Sequence, residues 1–306
     1  MNDVRVIGVV GCGLMGTGIV EVAALAGFEV VAVKATAGAI EPATKRVRDS
    51  MERAVTKGKL TADARDAALT RITFTTELDA LYRCDLVIES GAESLTAKRR
   101  LLGDIEAAMQ PQAVLATNTS SLPLGELVTA LRNPSRFLGM HFFSPVPAMK
   151  LVEVAPLAGT DAAVTAASVK MVEALGKTPI LANEEPGYIV NRLLVPYLCQ
   201  AIEMLEHGVA GAREIDGAMK LGCGHPLGPL ALSDLIGLDV VFAMAQSLSQ
   251  ELRDRRFRAP SLLRRLVLAG HVGKKVGLGL YDYGGKEPIE NQEIRECVHS
   301  LAAEAG

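Results

Sequence analysis

Six residues near the start, Gly11-Cys12-Gly13-Leu14-Met15-Gly16, combine types and spacing that can hold a dinucleotide. In a G-x-G-x-x-G run the first glycine permits a tight turn and the second lets the backbone approach a pyrophosphate. The third allows close helix–strand packing. A helix opening at this point presents free N–H groups and a partial positive charge to the phosphates. Leu14 and Met15 lie inside the run and count with the glycines as cofactor-side positions. The spacing alone is weak in a chain with 29 Gly. Its place, directly after an apolar run and before a helical pattern, gives it meaning.

A dinucleotide site of this kind uses an acidic residue about 20 positions on, which accepts hydrogen bonds from the adenosine ribose. Eighteen residues after Gly16 this chain has Lys34, followed by Ala35 and Thr36. A lysine cannot accept those bonds, but it attracts a 2′-phosphate. The expected cofactor is therefore NADP(H), slightly ahead of NAD(H), with no metal.

The elements that must position these residues follow from the hydrophobic pattern. Arg5 to Val10 is a short β-branched run that stops at the glycines, a helix-like stretch runs from about Leu14 to Ala26, and Phe28 to Val33 is a second strand. A charged helical pattern spans about Ile40 to Lys57, and another helix Glu93 to Met109. Asp85 to Glu89, Ala113 to Thr117, Phe137 to Met140 and Leu151 to Ala155 are further strands, with a helix from Asp161 to Leu175. This alternation argues for an α/β domain of the Rossmann type with a mostly parallel sheet covered on both faces. Beyond Asn183-Glu184-Glu185-Pro186-Gly187 the apolar residues recur at helical spacing and strand-like runs vanish. The expected domains are thus 1–185, dinucleotide-binding, and 186–306, all-helical. The last stretch, Lys286 to Gly306, reads as a polar outer helix.

Composition excludes several classes of function. The 306 residues are 49% apolar and 22% charged, enough for a sizeable core and unlike a disordered chain. A net charge of −3 lacks the basic balance usual in a nucleic-acid binder. The longest apolar run, Val6 to Val20, is shorter than a membrane span and interrupted by glycines. The five cysteines are scattered, with no pair at metal-ligand spacing, and read as reduced thiols in the cytoplasm.

A set of longer motifs runs through the chain in order. These are Thr117-Asn118-Thr119-Ser120-Ser121, Gly139-Met140-His141-Phe142-Phe143-Ser144-Pro145-Val146, Leu151-Val152-Glu153-Val154 and Pro186-Gly187-Tyr188-Ile189-Val190-Asn191-Arg192. His225-Pro226-Leu227-Gly228-Pro229, Leu232 to Asp239 and Gly273-Lys274-Lys275-Val276-Gly277 complete the set. Together they resemble the 3-hydroxyacyl-CoA dehydrogenase family over nearly the full length. The length, with no fused hydratase module, resembles its short stand-alone members.

The resemblance implies an L-3-hydroxyacyl-CoA substrate of short chain, a nicotinamide cofactor in the first domain, and a homodimer formed through the second. It makes His141 the catalytic histidine and Glu153 its carboxylate partner, with Ser120 and Asn191 near the substrate oxygens. Glu93, Lys98, Asn118, Ser120 and Lys275 fall at cofactor-side positions, and Ser50 and Lys57 at positions that contact CoA. Two departures stand out: Lys34 replaces the usual Asp, and Ser144 stands where an Asn is usual but keeps a hydrogen-bonding group beside the cofactor. Alternative readings are a dehydrogenase of a carrier-protein-bound acyl group, one of sugar acids, and a crystallin-like protein without activity.

The chemistry asks for the same residues. Oxidising a secondary alcohol removes the hydroxyl proton while hydride leaves the carbon, and a histidine suits the proton step because it titrates near neutral pH. Glu153 is flanked by Leu151, Val152, Val154 and Ala155, where a lone carboxylate is costly unless partnered. Lys45, Arg46, Arg48, Arg53, Lys57 and Lys59 form a basic cluster suited to the phosphates of CoA. His207, His225, His271 and His299 show no ligand constellation and read as structural or surface residues.

Overall fold

Val6–Val10 (β1), buried from Ile7 onward, is the first central strand of an eight-stranded sheet in the computed structural model, which describes residues 4–285, 287–291 and 294. Its neighbours are Glu29–Val33 (β2) and Leu86–Glu89 (β4), both parallel to it. Ile72–Thr75 (β3) adds outside β2. Val114–Thr117 (β5) and Phe137–Phe142 (β6) continue in parallel on the other side. Leu151–Pro156 (β7) turns back antiparallel to β6, and Thr178–Leu181 (β8) runs parallel to β7 at the edge. The order β3-β2-β1-β4-β5-β6-β7-β8 reverses direction between β1 and β4. Ligands of doubly wound sheets bind in the crevice at that switch, outside the carboxyl ends of the strands.

The helices cover both faces. Leu14–Leu25 (α1), Glu41–Thr56 (α2) and Ala62–Thr70 (α3) lie in the first part of the chain. Leu95–Ala108 (α4), Leu124–Leu127 (α5) and Ala162–Ala174 (α6) follow. Ile7, Val9, Val30, Ala32 and Met140 pack with Ile19, Val20 and Val172 in one core. Val10, Val31, Val33 and Leu115 pack with Leu102, Ile105 and Leu124 in the other. Neighbouring residues of one strand thus feed opposite cores, the signature of a sheet buried on both sides.

α3, α5, β3 and β8 are additional to the elements expected from the sequence. α3 has only alanines and one leucine for an apolar face, and its start is marked by Thr61, whose hydroxyl accepts from the Ala64 amide. β3 and β8 are edge strands, half exposed, and β8 carries Pro179. An edge strand need not be apolar and tolerates a proline.

The second compact unit begins after Tyr188. It contains Val190–Glu206 (α7), Ala212–Cys223 (α8), Pro229–Ile236 (α9), Leu238–Leu252 (α10) and Ser261–Leu268 (α11). Leu198, Ile202, Leu230, Leu238, Val241 and Leu263 form its core. It is helical but not wholly so. Tyr281–Asp282 (β9) and Ile289–Glu290 (β10) pair antiparallel, so two residues of the expected terminal helix are strand. Residues 286, 292–293 and 295–306 of that expectation lie outside the described residues.

Two buried aspartates hold this unit together. Asp216 accepts from the amides of Leu230 and Ala231 at the start of α9 (2.8 and 2.9 Å), where a negative charge suits the helix dipole. Asp234 accepts from the amides of Leu280 and Tyr281 and from the Tyr283 hydroxyl. Burial pushes the Asp234 carboxyl up to about 6 against the pull of those donors, and the nearby Asp216 charge adds to the rise. The folded protein therefore takes up a proton as pH falls through about 6, whereas the unfolded chain does so only near 4. Stability from this group grows on acidification across that window. Between pH 7 and 5 the stability difference between wild type and Asp234→Asn is expected to move about 1 kcal/mol in the wild type's favour. Thermal unfolding at the two pH values checks it, and an unchanged difference would show that Asp234 does not titrate there.

Candidate active site

The glycine run sits where the switch in strand order requires it. Gly11 follows β1 with φ of 108°, and a Cβ there would stand 2.4 Å from the Ser90 carbonyl oxygen beyond β4. A Cβ on Gly16 would meet the Gly11 carbonyl oxygen at 1.7 Å. At Gly13, the N-cap of α1, a Cβ would meet nothing within 4 Å, and no side chain caps the helix. That open space, beside uncapped N–H groups of the first turn, fits a pyrophosphate. Leu14 is exposed at the mouth and Met15 half-buried. Arg46 on α2, expected in a basic cluster for the phosphates of CoA, donates from its guanidinium to the Cys12 carbonyl at 3.1 Å. It is a second cation beside the loop.

Lys34 follows the last residue of β2, at the rim of a cavity of about 340 Å³ lined also by Thr36, Gly38, Thr76, Leu78 and Asp104. Its ammonium is engaged rather than free. It donates to the carbonyls of Thr36 (2.7 Å) and Ala37 (2.6 Å) and to the Thr36 hydroxyl (3.2 Å). Asp104, which nothing in the sequence singled out, puts a carboxylate on the same cavity.

His141 and Glu153 are directly opposite residues of the antiparallel pair β6–β7. Cross-strand partners share a face and stand within reach of each other. His141 Nδ1 and Glu153 Oε2 are 2.8 Å apart, with Glu153 fully buried and His141 nearly so. A carboxylate only accepts, so Nδ1 carries the proton and Nε2 is left as the acceptor. The imidazole also contacts two aromatic rings, Phe143 at 4.4 Å and Tyr188 at 5.6 Å between centroids. Asn118 holds the strand beside it, its Oδ1 accepting from the Phe142 amide at 2.8 Å.

Behind Asn118 lies a charged network that the sequence revealed only in part. Glu89, the last residue of β4 and fully buried, accepts from Lys98 Nζ (2.8 and 2.9 Å), the Thr117 hydroxyl (2.6 Å) and the Gly91 amide (2.6 Å). Lys98, expected at a cofactor-side position, is itself buried and also lies 3.4 Å from Glu93. Glu93 accepts from the Thr119 hydroxyl and the Ser120 amide, which ties Ser120 to the same loop. Glu89 was readable as an anomaly: a carboxylate ending an apolar strand needs a partner.

The remaining candidates are more dispersed. Ser50 on α2 bonds through its side chain with Glu21 of α1, whose carboxyl burial pushes up against that bond and the nearby Arg53. Lys57 is exposed at the end of α2. Ser144 is exposed in the loop after β6, where the Ser144–Pro145 peptide is cis. Asn191 and Lys275 belong to the second unit. Asn191 is buried in the first turn of α7, and Lys275 Nζ pairs with both oxygens of Asp239 at 2.6 Å. His225 Nδ1 lies 3.0 Å from the Tyr197 hydroxyl. Among the described residues there is no cluster of His, Cys, Asp or Glu suited to a metal, and no single helix is long and apolar enough to cross a membrane.

Two family models match the chain in sequence. The NAD binding domain of 3-hydroxyacyl-CoA dehydrogenase covers residues 6–185, and the C-terminal domain of the same enzyme covers 187–283. The chain belongs to the 3-hydroxyacyl-CoA dehydrogenase family. A 3-hydroxybutyryl-CoA dehydrogenase of Bradyrhizobium diazoefficiens is 41% identical over 94% of this chain and 98% of its own length. The crystal structure of FadB2 from Mycobacterium tuberculosis superimposes with a TM-score of 0.90 at 42% identity, covering 92% of this chain and all of that one. That of (S)-3-hydroxybutyryl-CoA dehydrogenase from Ralstonia eutropha gives 0.87 at 40% identity, again over 92% of this chain and all of that one. As a member of this family the chain is a dehydrogenase with a nicotinamide-dinucleotide domain, and the glycine run and switch point described above are that domain's.

Proposed function

We propose that this dehydrogenase interconverts short-chain L-3-hydroxyacyl-CoA and 3-ketoacyl-CoA, with 3-hydroxybutyryl-CoA as a substrate. The observation that carries this reading is the buried His141–Glu153 pair at 2.8 Å in a family of 3-hydroxyacyl-CoA dehydrogenases. In oxidation His141 Nε2 accepts the hydroxyl proton as the C3 hydrogen leaves with its electron pair. A nicotinamide bound in the first unit supplies the hydride acceptor, or the donor in reverse. Glu153 fixes the imidazole tautomer and stabilises the imidazolium that forms. Ser120 and Asn191 hydrogen-bond the reacting oxygens, and Ser50 and Lys57 hold the CoA portion. Glu93, Lys98, Asn118, Ser144 and Lys275 support the cofactor, Lys98 doing so from its buried position on Glu89.

The test follows the absorbance of reduced cofactor with acetoacetyl-CoA, offering NADH and NADPH separately. Turnover with neither, or only with a carrier-protein thioester, would overturn the assignment. The preference of Lys34 for a 2′-phosphate makes NADP(H) the better cofactor in this proposal.

We also place the enzyme in the cytoplasm as a homodimer. The second unit exposes Leu193, Leu221 and Leu268 at 70%, 90% and 77% of their surface. A helical unit with that much apolar side chain in water gains by covering it with a second copy. Light scattering at micromolar concentration is expected to give twice the 32.3 kDa chain mass. A strict monomer would contradict the proposal.

A further inference from the structure

Tyr188 is the last residue of the first unit and takes a conformation that bulky residues avoid. Its φ is 44°, in the left-handed region, directly after Gly187 at 82°. A side chain with a Cβ is strained there, and such strain persists where the surroundings over-determine it. Here the surroundings place the ring. It is 5% exposed and packs with Phe137, Leu124, Ala155 and Ala182. The sheet makes room for it with two small residues paired across β6 and β7, Gly139 and Ala155. A Cβ on Gly139 would stand 2.7 Å from the Tyr188 hydroxyl. Gly139 and His141 are alternate residues of β6 and so share a face.

The hydroxyl itself does no visible work. It is buried and has no hydrogen-bond partner among the described residues. Burial, with the Glu93 and Glu153 charges nearby, pushes the phenol far up, so it remains neutral. An unsatisfied buried hydroxyl is a net cost that a phenylalanine would not carry. The ring is therefore what the position uses. It lies against the His141 imidazole at 5.6 Å between centroids, tilted by 36°, while Phe143 lies at 4.4 Å, tilted by 55°.

The Glu153 bond fixes only one imidazole nitrogen, and the ring can still swing about that contact. Aromatic walls remove this freedom and exclude water from the His141–Glu153 bond. We propose that Tyr188 is a positioning residue whose ring, and not its hydroxyl, clamps the His141 imidazole so that Nε2 alone faces the reacting hydroxyl. This rests on the reading of His141 as the proton acceptor.

The experiment compares Tyr188→Phe, Tyr188→Leu and His141→Gln. It records kcat, the fluorescence-titrated Kd for reduced cofactor, and the proton NMR shifts of the His141 ring. A catalytic group displaced by a fraction of an ångström loses about ten-fold or more in rate. Tyr188→Leu is expected to lower kcat by about that factor while the cofactor Kd moves less than about two-fold. Tyr188→Phe is expected to keep wild-type kcat and unfold at a higher temperature. In wild type and Tyr188→Phe the His141 ring protons are expected upfield through the ring currents of both walls. Wild-type kcat in Tyr188→Leu, or a Tyr188→Phe enzyme as slow as Tyr188→Leu, overturns the proposal. So does the absence of the upfield shift in wild type, a readout that stands even if Tyr188→Leu does not fold. Full activity in His141→Gln sinks the reading of His141 instead, and the NMR shift still judges the clamp.

Discussion

His141→Gln and Glu153→Gln should each reduce kcat by about 100-fold or more, with the folded state intact. General acid–base catalysis contributes 10² to 10⁴ in rate, and losing either partner removes it by a different route. Gln at 141 cannot take a proton. Gln at 153 keeps a hydrogen-bond acceptor for Nδ1 but gives no charge to stabilise the imidazolium. Glutamine is the right probe because both positions are buried. Alanine at 141 would remove the His141 bond from the buried Glu153 carboxylate, and the resulting destabilisation would mask the chemistry. Because the two residues act as one unit, the double variant should be little slower than the slower single one. Thermal unfolding of each variant separates loss of fold from loss of catalysis. A folded His141→Gln enzyme with near-normal turnover would remove the histidine from the mechanism.

The features legible in the sequence share a physical cause: they depend on local pattern. β1, its glycines and α1 are one strand–turn–helix unit, so the glycine spacing together with its local context points to the dinucleotide site. Glu153 could be marked as needing a partner because a carboxylate among apolar strand residues is costly alone. That the partner is His141 came from motif resemblance, and the register of β6 on β7 supplies the reason. What escaped the sequence depends on packing between distant segments. Glu89 meets Lys98 and Thr117 only because β4, α4 and β5 converge at the carboxyl edge of the sheet. Asp104 reaches the cavity of Lys34 from α4, 70 residues along the chain. Tyr188 carries no role in the sequence beyond its place in a motif, since neither its φ nor the space left by Gly139 has a sequence signal. The half-exposed edge strands lack the apolar runs that revealed the central ones.

Lys34→Asp is expected to reverse the cofactor order from NADPH to NADH. In the folded chain the Lys34 ammonium is satisfied by neutral oxygens of its own loop, at 2.6 to 3.2 Å. A 2′-phosphate replaces these with anionic acceptors, and charge-assisted bonds are roughly twice as strong as neutral ones. The site is open to solvent, so the net gain is about 1 kcal/mol, or roughly five-fold in affinity. Asp104 on the same cavity works against a phosphate and keeps the preference from growing larger. Aspartate at 34 withdraws the cation, adds a second repelling charge and offers the ribose hydroxyls an acceptor. If losing the cation and gaining the ribose acceptor are each worth about five-fold, these two changes alone lower the ratio of kcat/KM for NADPH over NADH by about 25-fold. Lys34→Met separates this from mere loosening of residues 34–38. It should lose the NADPH advantage without gaining on NADH, whereas a loop effect would weaken both cofactors alike. A wild-type enzyme that already prefers NADH, unaltered in Lys34→Met, would mean that the lysine serves only its own loop and that Asp104 is the residue to test as the ribose acceptor.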